Sequence, residues 1–184
     1  MSDSASAPQQ DTPLTSLGAG RWVLDPARSS VVVRNKTFWG LATVKGTFTG
    51  VSGGGEVHQD GTAHGSLTVD TSSLDTKNAK RDTHLRSADF FDAGKHPALT
   101  FTANGITANP DGSTAAVEGE LTIRGTSRPL RFTARATGVS EDTVTLSGEL
   151  TVDRQDFGMT WNQLGMLKPL AMVSVTAAFT RRQD

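Results

Sequence analysis

From Arg21 onward, apolar residues fall at every second position, in short runs broken by glycine-bearing turns. Val31 and Val33 alternate with Val32 and Arg34, and Val44, Gly46 and Phe48 with Thr43, Lys45 and Thr47. Leu67 and Val69 alternate with Ser66, Thr68 and Asp70; Leu99, Phe101 and Ala103 alternate with Thr100 and Thr102. The later runs are longer: Val117 to Ile123, Leu130 to Ala136, Val144 to Val152 and Val173 to Phe179. Successive side chains of a strand point to opposite faces, so each run has one apolar face and one polar face. Such an all-β sheet must cover its apolar face, by stacking on a second sheet or by closing on itself. About eight strands are countable, a number that closes into a barrel. Short turns such as Asn109-Pro110-Asp111-Gly112 and Arg124-Gly125-Thr126-Ser127 join neighbours in sequence order. The pattern therefore predicts an eight-stranded antiparallel up-and-down barrel.

Two stretches depart from the period. Residues 1–20, MSDSASAPQQDTPLTSLGAG, lack periodicity and read as a disordered tail, leaving residues 21–184 as one barrel domain. Residues 76–91, TKNAKRDTHLRSADFF, hold Leu85 as the lone large apolar residue before Phe90 and Phe91. One or two helical turns are expected there, across or beside a barrel mouth.

Composition narrows the function classes. A net charge of −1 gives no field that would gather nucleic acid. The absence of cysteine removes disulfides, thiolate catalysis and cysteine-type zinc sites. The first residues show neither a basic start nor an apolar segment, and no stretch reaches the length of a membrane span. A cytoplasmic location is the default expectation.

The apolar phase contains many small residues: Gly46, Ala103, Gly119, Ala134, Ala136, Gly148 and Ala177. They fit the taper of a barrel filled by side chains, and they equally fit a bore between Val, Leu and Phe walls. Period and composition leave both readings standing. The inward phase carries almost no charge, so a bore would suit a hydrocarbon and offer little to a sugar or nucleotide.

Candidate chemistry concentrates in Arg81-Asp82-Thr83-His84-Leu85-Arg86, followed by Asp89 and His96. Acids and histidines this close suit a metal or a general acid–base pair. A structural role is the preferred reading: Asp82 and Arg86 stand four apart, as in a helical salt bridge, Asp89 suits a cap, and His84 a local backbone hydrogen bond. His58 and His64 flank a turn and can meet across a hairpin, but two histidines make no metal site. No nucleophile motif and no phosphate loop are present, and the run Gly53 to Gly55 opens no helix. No catalytic residue, metal or cofactor is expected. Met159, Trp161, Met166 and Met172 lie in or beside an irregular stretch, Gly158 to Leu170, suited to core filling or to a soft apolar lid.

Several motifs together resemble the YceI-like family, described as polyisoprenoid-binding and lipocalin-like. They are Trp22-Val23-Leu24-Asp25, Ser29-Ser30-Val31, Val44-Lys45-Gly46-Thr47-Phe48 and the long segment Arg81 to Asp92. His96-Pro97, Phe101, Gly119 to Gly125 and Arg154-Gln155-Asp156-Phe157-Gly158 complete the resemblance, which runs from Arg21 to about Phe179. It implies an extended lipocalin-like barrel, an elongated apolar pore, a bound isoprenoid lipid and a tendency to form a homodimer. It carries over no catalytic residue.

With the resemblance, the bore becomes the favoured reading, and the function expected is binding of a polyprenyl chain or quinone tail for carriage, storage or sequestration. The expected pore-lining set begins with Val31, Val33, Phe38, Val44 and Leu67, then Phe90, Phe91, Leu99, Phe101 and Leu121. It continues with Phe132, Leu146, Leu150, Phe157, Trp161, Met166 and Leu170. Two alternatives remain beside it: an enzyme acting on such a lipid through Asp82, His84 and Asp89, and a solid-core stress-response barrel.

Overall fold

The computed structural model describes residues 12–183. Its strands are β1 (Gly20–Leu24), β2 (Ser30–Thr37), β3 (Ala42–Phe48), β4 (Val51–Val57), β5 (Ala63–Asp70) and β6 (Leu74–Asp75). After α1 (Ala79–Arg86), the one α-helix among the described residues, come β7 (Ala98–Ala108), β8 (Thr114–Ile123), β9 (Thr126–Thr137), β10 (Thr143–Asp153) and β11 (Leu170–Arg181).

All pairings are antiparallel, and these eleven segments make eight walls. β1 and β2 lie end to end along β11, paired at Leu24–Phe179 and at Val31–Val175. Between them is a 3-10 turn at Pro26–Arg28, started by the Asp25 carboxylate accepting from the Ala27 N–H at 3.0 Å. β4 and β3 lie end to end on the far side of that wall, against β1 and β2 respectively. β5 pairs with β4 and β6 with β3, and the remaining strands follow in chain order until β11 returns to β1. The eight-stranded up-and-down barrel expected from the period is the fold observed. The run Gly53 to Gly55 lies in β4, where neighbouring backbones approach closely. A Cβ on Gly54 would stand 2.6 Å from the Trp22 carbonyl oxygen, and one on Gly55 2.3 Å from that of His64.

One seam is incomplete. β9 and β10 pair only through Arg135–Thr137 and Thr145–Ser147, although both strands continue well beyond. Pro129 lies in the part of β9 that has no partner in β10, where its missing N–H takes nothing from that side.

The segment 76–91, expected to hold helical turns, supplies α1. Asn78 caps it by accepting from the Arg81 N–H at 2.9 Å, and Arg86 occupies the last turn, where a cation suits the helix dipole. The tail expected over 1–20 divides: residues 1–11 lie outside the described residues, while 12–20 are docked. Leu14 is buried with Trp22, Ala115, Ala136 and Val144, and Leu17 packs beside it. The Leu14 N–H donates to Gly112 O at 2.8 Å and the Gly18 N–H to Glu141 O at 3.0 Å. Spaced three apart in a polar context, Leu14 and Leu17 have no strand period, and only the barrel end they cover makes them core.

Candidate ligand pore

The inward residues leave space along the barrel axis in two stretches. The larger, about 420 Å³, lies toward α1 and the 158–169 loop; the smaller, about 160 Å³, lies toward Leu14 and Trp22. Leu67, Phe101, Phe132 and Val175 border both. The Phe101 and Phe132 rings stand 5.6 Å apart, tilted at 52°, and form the partition.

Glycines make room for that pair. A Cβ on Gly119 would meet the Phe101 ring at 2.8 Å, and one on Gly148 the Phe132 ring at 3.2 Å. Each ring therefore lies over bare backbone of a neighbouring strand. Small residues in the apolar phase thus serve the seating of two large ones.

Among the residues expected to line a pore, Val31, Val33, Val44, Leu67, Leu99 and Leu121 border the larger space from the walls, with Phe101, Phe132 and Leu150. Phe90, Phe91, Trp161 and Met166 border it from the connecting segments, and Leu146 borders only the smaller space. Three are elsewhere. Phe38 is 52% exposed on the β2–β3 turn, where a left-handed φ of 49° swings it out of the strand phase. Leu170 is 54% exposed, because Ala171, Val173 and Val175 take the inward phase of β11. Phe157 is buried against Leu121, Ile123 and Met159, which border the space, without bordering it itself.

The lining expected from the sequence omitted the polar residues of the larger space, Asn35, Thr37, Thr76, Arg81, His84, Arg154 and Gln163, although Arg81 and His84 stood among the candidate chemical residues. Asn35 and Thr37 continue the inward phase of Val31 and Val33 toward the mouth, a signal that was present in the alternation. Asn35 Oδ1 is buried and finds no hydrogen-bond partner among the described residues.

Arg154 is the most unusual of these. It is 5% exposed and, among the described residues, pairs with no carboxylate. Its guanidinium donates to backbone carbonyls of the 158–169 loop: Met159, Trp161 (3.0 Å), Leu167 (3.3 Å) and Lys168 (3.3 Å). Burial pushes its pKa below the usual arginine value, with the nearby Asp153 acting in the opposite sense. The planar five-donor fork satisfies carbonyls that an irregular loop cannot satisfy itself.

The helix side of the mouth is also held by polar contacts. Asp82 is buried and accepts from the Thr76 N–H at 3.0 Å and from the Thr76 hydroxyl. The salt bridge expected between Asp82 and Arg86 does not form, because Arg86 reaches the carbonyls of Ser72 and Leu74 instead. His84 Nε2 meets Asp89 Oδ2 at 2.8 Å, not the backbone as expected, and its ring stands edge-on to Trp161 at 4.6 Å. Asp82 and the His84–Asp89 pair thus have separate partners and do not converge on one point. His58 and His64 do meet across the β4–β5 hairpin, at 2.9 Å between Nε2 and Nδ1. Among the described residues, no group of three or more acids and histidines is placed to hold a metal ion. No described helix is long and apolar enough to cross a membrane.

The family model described as the YceI-like domain matches residues 22–180. A UPF0312 protein of Pseudomonas paraeruginosa is 37% identical over 98 residues, 50% of this chain and 50% of its own length. The chain thus spans about half the length of that relative. Burkholderia cenocepacia BcnA superposes with a TM-score of 0.75 at 21% identity, over 84% of this chain and 98% of its own. A polyisoprenoid binding domain from Saccharophagus degradans, implicated in plant cell wall breakdown, superposes with a TM-score of 0.71 at 14% identity, over 88% and 98%. At these identities the two structures share the fold.

Proposed function

The chain belongs to the YceI-like domain family, and from that premise we propose that it binds a long apolar isoprenoid-type lipid inside the barrel, for carriage, storage or sequestration. The observation that carries this reading is the larger space: about 420 Å³ walled by Val, Leu and Phe, with its polar groups gathered at one end. Each methylene moved from water to such walls contributes roughly 0.8 kcal/mol, so a few isoprene units supply ample gross affinity before ordering costs. That gain is indifferent to head-group chemistry. Selectivity would come from length, set at the Phe101–Phe132 partition, and from the polar mouth, where Asn35 Oδ1 awaits a donor such as a hydroxyl. The Saccharophagus degradans domain of the same fold is described as polyisoprenoid binding, which supports the same ligand class here. The lining residues serve as walls, not as chemical groups, and the reading is of a binding protein without turnover.

Two measurements test it. Mass spectrometry of an organic extract of the purified chain should recover an isoprenoid, and titration with geranylgeraniol should give saturable binding. Leu150→Trp, which places an indole in the larger space, should weaken that binding by about tenfold or more, a loss of at least 1.4 kcal/mol. A lipid-free extract together with no geranylgeraniol binding would overturn the reading.

A further inference from the structure

The rim around the mouth of the larger space presents apolar side chains to the outside. On the β2–β3 turn, Phe38, Trp39 and Leu41 are 52%, 59% and 89% exposed; on the 158–169 loop, Leu164 is 77% exposed. The Trp39 N–H donates to Met166 O at 3.2 Å and the Lys168 N–H to Lys36 O at 3.0 Å, so the two loops stand side by side. Leu170 and Met172, also half exposed, extend the surface onto β11. Phe38, Trp39 and Leu164 hold φ of 49°, 54° and 55°, the left-handed region that bulky residues avoid. These residues thus combine an unfavourable backbone conformation with exposed apolar side chains.

Charge sorts in the same place. Residues 34–45 and 158–172 carry Arg34, Lys36, Lys45 and Lys168 and no aspartate or glutamate, in a chain of net charge −1. On β2 and β3 the inward phase is Val33, Asn35, Val44 and Gly46, so Arg34, Lys36 and Lys45 face outward. Acids border this region and have partners of their own: Asp153, opposite Leu170, accepts from the Gln155 N–H at 2.9 Å, Asp75, opposite Thr47, accepts from Lys77 at 2.8 Å, and Glu149 accepts from the Ser174 hydroxyl, to which Arg34 also donates.

We propose that this rim docks on an anionic lipid bilayer, with Trp39, Leu41 and Leu164 inserted at the head-group level and the basic side chains against lipid phosphates. Exposed aromatic and leucine tips beside a basic ring have the composition of interfacial membrane contacts. A second copy of the chain is the poorer occupant. A two-fold contact brings each patch against itself and would set basic ring against basic ring, whereas an anionic surface neutralises it. Docked this way, the mouth opens toward the bilayer, and a lipid tail enters without crossing water. The inference rests on the lipid-pore reading for the traffic through the mouth, while docking itself is measured separately.

The test uses the full chain with vesicles of phosphatidylcholine, with and without phosphatidylglycerol. The chain should sediment with the anionic vesicles, bind less at high salt, and show tryptophan fluorescence quenched by lipids brominated on their tails, more strongly than a Trp39→Phe variant does. The triple variant Trp39→Ser, Leu41→Ser, Leu164→Ser should lose vesicle binding by roughly tenfold or more, in proportion to the apolar area removed. Lys36→Gln with Lys168→Gln should remove most of the preference for phosphatidylglycerol. Geranylgeraniol binding and the thermal midpoint should survive in both variants, since the altered side chains face away from the pore. Failure of the wild type to bind anionic vesicles, with geranylgeraniol binding intact, would overturn docking and leave the pore reading standing. Vesicle binding without geranylgeraniol binding would do the reverse. A wild-type dimer in sedimentation that the triple variant abolishes, without vesicle binding, would assign the rim to a second copy and overturn the inference.

Discussion

A phenyl ring seated over a glycine is the smallest unit that explains this pore. Gly119 and Gly148 lie under Phe101 and Phe132, so the size of two residues decides where a partition crosses the barrel. Gly148 has an ordinary φ, and Leu can replace it without backbone strain. Even a Cβ there stands 3.2 Å from the Phe132 ring, so the added side chain must turn that ring toward the axis. Gly148→Leu should therefore narrow the passage between the two spaces and weaken longer isoprenoids more than geranylgeraniol. Ala136→Leu is the contrast: Ala136 is packed against Leu14, Trp22 and Val144, and overpacking should cost roughly 1–3 kcal/mol with a smaller effect on chain-length preference. Paired denaturation and binding titrations check this, and an equal loss for both chain lengths in Gly148→Leu would contradict it. Arg154 sets a second residue-scale expectation. Replacing it with Met strands several carbonyls of the 158–169 loop, each costing about 1–3 kcal/mol where it stays dry. Lys, with one ammonium in place of the fork, should restore only part of that loss. Urea unfolding of the three proteins decides it; full rescue by Lys would reduce Arg154 to a charge.

At the scale of elements, the period of two carried the walls and failed wherever tertiary context overrides it. The runs Val117 to Ile123 and Val144 to Val152 were legible because one face is wet and the other dry. Leu14 and Leu17 were not, since two leucines in a polar stretch become core only when a barrel end lies beneath them. The same physics hid the roles of Phe38 and Leu170, which sit at strand ends, where one residue of phase or one left-handed φ exchanges inside for outside, while Phe157 falls in the 3-10 turn Arg154–Phe157, where the period of two no longer applies. Truncation tests the N-terminal element. Removing residues 1–19 uncovers Leu14's neighbours and should lower the thermal midpoint by several degrees, at roughly 2–4 °C per kcal/mol for a domain of this size. Removing residues 1–11 alone keeps those contacts and should lower it far less. Equal midpoints for both truncations would show that the Leu14 contacts contribute nothing. The half-open ladder between β9 and β10 makes a further expectation: amides on its unpaired edges should exchange with solvent hydrogen faster than those shared by β7 and β8. Uniform protection across both ladders would mean the seam closes in solution.

For the molecule as a whole, a barrel that keeps space along its axis has less packing per residue than a filled one, and a ligand supplies the missing contacts. A ligand that binds only the folded state adds RT ln(1 + [L]/Kd), about 2.7 kcal/mol at a hundredfold excess over Kd. At roughly 2–4 °C per kcal/mol, that raises the thermal midpoint by about 5–11 °C. Delipidated protein given geranylgeraniol should show this rise. The rise should shrink in Leu150→Trp, whose indole occupies ligand space, while the ligand-free midpoint of that variant stays near or above the wild type's. A filled barrel would behave in the opposite way, losing stability to the indole and gaining nothing from the alcohol. Adsorption of the alcohol to the apolar rim is distinguishable from both, because it would survive Leu150→Trp and vanish with Trp39, Leu41 and Leu164. Thermal scans of these two variants and the wild type, with and without lipid, therefore separate pore, rim and solid core by sign.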